Sequence, residues 1–121
     1  RHRAERGEAW ATVEAPLDLA GAVRRLEAGE AAVVDCLTLW LSNLMLGDLD
    51  VAAAVAETAQ ALAASPAGIV VVTNEVGQGI VPDNALARRF RDEAGWMNQA
   101  MAAAADRVVL VSAGLPLVLK G

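Results

Sequence analysis

Gly68-Ile-Val-Val-Val-Thr73, followed at once by Asn74-Glu-Val-Gly-Gln-Gly-Ile-Val-Pro82, decides how the rest of the chain reads. Consecutive β-branched side chains from Ile69 to Val72 stiffen the backbone toward an extended form. A short run that is apolar on both faces reads as a buried parallel strand. The segment after it is too rich in glycine for a helix. Asp83 or Asn84 then caps a long helix reaching to about residue 104, with a core stripe of Leu86, Phe90, Ala94, Met97 and Met101.

Working outward, Ala31-Ala-Val-Val-Asp35 repeats the pattern of a short apolar run, here ending in a carboxylate, and reads as a second buried strand. Residues 37–46 and about 49–64 read as helices, the latter with Val51, Val55 and Leu62 on one face and Pro66 beyond its end. Asp18 caps a helix over roughly 18–28, with Gly29 as its stop. Trp10 to Glu14 alternates as a strand would before Pro16. Downstream, Arg107 to Val111 is a β-type run, and Leu115 to Leu119 forms an edge strand after Gly114. Strands alternating with helices imply one α/β domain over 1–121, with a mostly parallel sheet flanked by helices. Ligands of such sheets sit beyond the carboxyl ends of the strands. Asp35 and the 74–82 loop both fall at such ends.

Composition sets the outer bounds. Of 121 residues 55% are hydrophobic, enough for a core, while aromatics are only 3%, which favours closely packed Ala-rich helices. Ten basic residues against fifteen acidic ones leave a net charge of −5, the wrong sign for a general nucleic-acid binder. A nucleotide site needs only a few local cations and backbone N–H groups. Cys36 is the only cysteine, which excludes an internal disulfide and fits a reducing cytoplasm. No apolar run is long enough to suggest a membrane span.

Several residues carry chemistry. Asp35, ending a strand, stands where a carboxylate helps to hold nucleotide-bound magnesium, although by position alone such an Asp is more often a helix cap or turn residue. In the loop, Gly77 and Gly79 permit a positive φ and close backbone approach, and Glu75 projects at the strand's edge; a plain crossover loop fits the same pattern. His2, the only histidine, lies among Arg1, Arg3 and Arg6. An imidazole can attack phosphorus and guanidiniums can neutralise phosphates, yet a histidine in a charged segment is usually just solvated. Arg88, Arg89 and Arg91 precede Asp92 and Glu93, which reads as a solvated, ion-paired helix face. Trp10, Trp40 and Trp96 suit base stacking or, more often, core and interface packing.

Taken together these blocks resemble the cobinamide kinase/guanylyltransferase family. The resemblance rests on His2-Arg-Ala-Glu-Arg6, Trp10-Ala-Thr-Val-Glu14, Val34-Asp-Cys-Leu-Thr-Leu-Trp-Leu-Ser-Asn43 and Thr73-Asn-Glu-Val-Gly-Gln-Gly-Ile-Val-Pro82. It extends to Asn84-Ala-Leu-Ala-Arg-Arg-Phe-Arg-Asp-Glu-Ala-Gly95 and Ala113-Gly-Leu-Pro-Leu-Val-Leu-Lys120, and so covers essentially the whole chain. It implies a RecA-like P-loop NTPase fold, a cytoplasmic enzyme and a homotrimer. Two activities follow from it: phosphorylation of adenosylcobinamide by ATP or GTP, and transfer of GMP from GTP to adenosylcobinamide phosphate. The resemblance makes His2 the residue that carries GMP covalently. It places Arg3, Ala4, Glu5, Arg6, Glu14 and Asp35 at the GTP, with Mg2+ on Asp35, and leaves Glu75, Gly77 and Gly79 as a candidate loop.

One departure stands out. The family's opening strand and Gly-x-x-x-x-Gly-Lys-Ser/Thr loop have no counterpart here. Without that cradle and strand the chain as written is expected to bind triphosphates poorly, to lack kinase activity, to leave apolar sheet edges exposed and to be poorly soluble or unstable. Two other readings share the pattern. One is a P-loop phosphotransferase without a covalent histidine; the other is an inactive α/β remnant.

Overall fold

The computed structural model describes residues 10–77 and 79–121. Its elements in chain order are α1 (Leu19–Arg24), β1 (Ala31–Asp35), α2 (Leu37–Leu46), α3 (Val51–Ala64), β2 (Gly68–Val72), α4 (Ala85–Ala104), β3 (Val108–Ser112) and β4 (Leu115–Lys120). This is the α/β arrangement expected, with a parallel pair of strands and helices packed on it. β1 and β2 pair in parallel, Ala31 opposite Gly68 and Asp35 opposite Val72. β3 and β4 form an antiparallel hairpin. Its two-residue turn, Ala113-Gly114, has positive φ at both positions (51° and 76°), the geometry that matches strand twist across a tight hairpin.

Caps fix the helix starts. The side chains of Asp18, Asp50 and Asn84 accept hydrogen bonds from the N–H groups of Gly21, Ala53 and Ala87 and so begin α1, α3 and α4. α2 closes through Asp48, which adopts a left-handed φ of 54° while the N–H of Leu49 bonds to the carbonyl of Leu44. α3 packs against α1 and α4, and α4 also meets α2. Leu37, Leu41, Ala94 and Met97 are almost wholly buried where these helices meet the sheet. Val34, Ile69 and Val71 pack on that cluster from one face of the strands.

Four expectations need correction. Trp10 to Glu14 is not a strand. Alternation alone does not make a strand: the segment has no ladder among the described residues, and Val13 is 71% exposed. The segment is instead held at its end by α2, where Trp40 Nε1 donates to the carbonyl of Leu17 (2.9 Å) and Asn43 Nδ2 to that of Pro16 (3.1 Å). α1 stops at Arg24 rather than near 28, because the Glu30 carboxylate captures the N–H of Glu27 at 2.7 Å and turns the chain. Gly29, with φ 87°, serves that turn and not the helix end.

The strands are covered on one face only. Val33, Val70 and Val72 are 50%, 62% and 39% exposed, because the helices pack on the side of Val34 and Val71. The strands are therefore not buried on both faces. Finally, Leu86 is not core. It is 63% exposed in the first turn of α4, and burial sets in only toward Ala94. Among the described residues no helix is long and apolar enough to cross a membrane.

Candidate functional site

The register that sets Asp35 opposite Val72 brings the carboxyl ends of β1 and β2 side by side, roughly 5 Å apart. Two segments leave that edge together: Cys36 into α2, and Thr73 into the 74–82 loop. Side chains of opposite origin join them. Asn74 Nδ2 donates to Thr38 Oγ1 at 3.2 Å, and Thr38 Oγ1 lies 3.3 Å from Cys36 Sγ. Thr38 is 7% exposed while Asn74 is open to solvent, so this polar contact is only partly buried. Asp35 belongs to the open face of the sheet, in line with Val33.

The loop is fastened on its other side by α4. Asn98 Nδ2 donates to the carbonyl of Asn74 (3.1 Å), and Asn98 Oδ1 accepts from Thr73 Oγ1 (2.7 Å). Farther along, Arg91 donates to the carbonyl of Gly77, and Arg88 Nη1 to that of Pro82 (3.0 Å). Positions 88, 91 and 98 are three and seven residues apart, a spacing that keeps them on one side of a helix. The chain from Asn74 to Pro82 therefore runs back along α4 before Asn84 starts that helix. The expected ion-paired role of Arg88 and Arg91 is replaced by hydrogen bonds to loop carbonyls.

The loop glycines do not act as expected. Gly77 has no left-handed φ. A Cβ on Gly79 would meet nothing within 4 Å; one on Gly77 would make only ordinary contacts with Arg91 Nε and Glu75 Oε1, both at 3.8 Å. Their effect is to leave bare backbone at an open surface. Glu75, between the two fastened carbonyls, is exposed.

His2, Arg3, Ala4, Glu5 and Arg6 lie outside the described residues. Glu14 is exposed on the segment leading to α1, which docks on α2 through Pro16 and Leu17. Thus the structure gathers Asp35, the loop and Thr38, and adds Asn98, which sequence reasoning passed over, with Arg88 and Arg91, which it read as an ion-paired face. Trp40 is removed as a stacking candidate, since it is 4% exposed and its indole N–H is used internally. Trp10 and Trp96 remain open to solvent. Two grooves, one between α1 and α3 and one lined by Val51, Trp96 and Met97 between α3 and α4, share no residue with the site.

Magnesium is compatible with this donor set. Among the described residues no three or more His, Cys, Asp or Glu side chains converge. Magnesium that arrives with a triphosphate needs only one or two protein carboxylates, with phosphate and water completing the octahedron. Asp35 at the open strand end meets that requirement.

Comparison with known proteins follows the same lines. The family described as cobinamide kinase / cobinamide phosphate guanyltransferase matches residues 1–119. The bifunctional adenosylcobalamin biosynthesis protein CobP of Pseudomonas aeruginosa is 47% identical over 125 residues, covering 99% of this chain and 71% of its own length. The proteins named bifunctional adenosylcobalamin biosynthesis protein CobU in Escherichia coli and Salmonella typhimurium are each 39% identical over 135 residues, covering 98% of this chain and 75% of theirs.

Proposed function

The chain belongs to the cobinamide kinase / cobinamide phosphate guanyltransferase family, and on that footing we propose that the full natural chain serves cobalamin biosynthesis by both reactions the family name describes. In the first, the hydroxyl of adenosylcobinamide is phosphorylated by ATP or GTP. In the second, an imidazole nitrogen of His2 attacks the α-phosphorus of GTP. A P–N bond forms, the P–O bond to the β-phosphate breaks, and pyrophosphate leaves. A phosphate oxygen of adenosylcobinamide phosphate then displaces the imidazole, giving adenosylcobinamide-GDP and free His2.

The observation that carries this reading is the junction at the carboxyl ends of β1 and β2, where Asp35 ends one strand and the loop leaving the other is tied through Asn74 to Thr38. That edge is where nucleotides bind in α/β sheets. Asp35 would hold Mg2+, which when bound offsets charge on the triphosphate. Arg3 and Arg6 neutralise the departing pyrophosphate, with Ala4, Glu5 and Glu14 completing the nucleotide contacts. We place the enzyme in the cytoplasm as a homotrimer. The test is to supply the full natural chain with GTP, Mg2+ and adenosylcobinamide phosphate and to follow both products by mass. Formation of adenosylcobinamide-GDP with one pyrophosphate per turnover supports the reading. A protein that binds both substrates and forms neither product rejects it.

A further inference from the structure

The described residues of the 74–82 loop form no helix or strand, yet three of their carbonyls are held by donors from one side of α4. From Arg88 to Asn98 the helix rises roughly 15 Å. The pinned loop carbonyls, Pro82, Gly77 and Asn74, meet these donors in reverse order along that rise. Asn98 makes two of the bonds, donating to Asn74 and accepting from Thr73, so it fixes the point where the loop leaves β2. The same Asn74 reaches with its amide to Thr38, beside Asp35. Glu75 therefore lies between a carbonyl held by Asn98 and one held by Arg91.

We infer that Asn98 and Arg91 are positioning residues for the transfer reaction, acting through the loop and not on the substrate. The inference rests on the functional reading above. Holding a loop in one path before substrate arrives removes the entropic cost of ordering it from the catalytic step. Two directed side chains on a rigid helix do this without burying the loop, which leaves Glu75 and the bare backbone at Gly79 open to ligand.

The test uses the full natural chain and the variants Asn98→Asp, Arg91→Ala and Arg91→Lys. Asn98→Asp keeps the acceptor for Thr73 and removes the donor to Asn74. Hydrogen exchange of the 73–82 segment is measured without substrate, and kcat and KM for GTP are measured in parallel. Asn98→Asp and Arg91→Ala are expected to speed exchange in the segment by about fivefold or more while the thermal midpoint stays within a few degrees. They should lower kcat by about ten- to a hundredfold with little change in KM, and Arg91→Lys should recover part of the loss because an ammonium still reaches a carbonyl. Unchanged exchange, or faster exchange with unchanged kcat, overturns the inference while the functional reading stands. A parent protein that transfers no GMP defeats the functional reading, and the inference with it.

Discussion

Asn74 and Thr38 are joined side chain to side chain, amide to hydroxyl, at 3.2 Å, although 36 positions separate them in sequence. The bond ties the loop after β2 to the first turn of the helix after β1. It makes one polar surface from two strand ends, with Asp35 next to it. Asp35→Asn should keep that surface, since the side chain keeps its size. We expect magnesium-dependent turnover of GTP to fall by about a hundredfold or more, because a neutral amide is a poor ligand for a hard cation. Initial rates across a magnesium titration check this: a rate restored fully at moderate magnesium would remove Asp35 from the metal role.

Gly79→Ala separates backbone conformation from ligand access. Since nothing lies within 4 Å of a Cβ added at Gly79, folding stability should change by less than about 0.5 kcal/mol. A loss of substrate affinity at unchanged stability would show that bare backbone is needed at the site. Denaturant midpoints and substrate titrations on the same preparation decide it.

Leu41 is 0% exposed in α2, at the centre of the helix cluster. Leu41→Ala removes packed atoms and leaves a cavity, at a cost of about 2–5 kcal/mol. Urea unfolding should show a lowered midpoint with an unchanged slope.

At the hairpin turn the reverse is expected. Ala113 holds φ at 51°, where a Cβ is strained. Asn tolerates that region and is favoured before glycine in such turns, so Ala113→Asn should stabilise by about 0.5–1 kcal/mol. A rise in thermal midpoint without change in activity is the expected readout.

Much of this fold is legible locally. β1 from Ala31 to Asp35 and α2 from Leu37 to Leu46 have the predicted bounds, and Asp18 and Asn84 cap as their types suggest. Where reading failed, the cause was tertiary. Trp10 to Glu14 alternates, yet it has no ladder in the described structure. Val33 and Val70 belong to apolar runs, yet only one face of their strands is packed.

The site divides the same way. Asp35 and the glycine-rich loop could be placed at strand ends from the pattern alone. The roles of Arg88, Arg91 and Asn98 could not, because hydrogen bonds to backbone carbonyls leave no mark on residue type. Their helical spacing was the one signal that could have grouped them. The functions of His2 and the arginines around it rest on resemblance, and these residues lie outside the described structure.

The central claim is the covalent histidine, and intact-protein mass after incubation of the full natural chain with GTP and Mg2+ tests it most directly. The account predicts a single acid-labile GMP adduct that maps to His2 and is absent from His2→Ala. A folded protein that binds GTP with magnesium, forms adenosylcobinamide-GDP and never carries the adduct would contradict it.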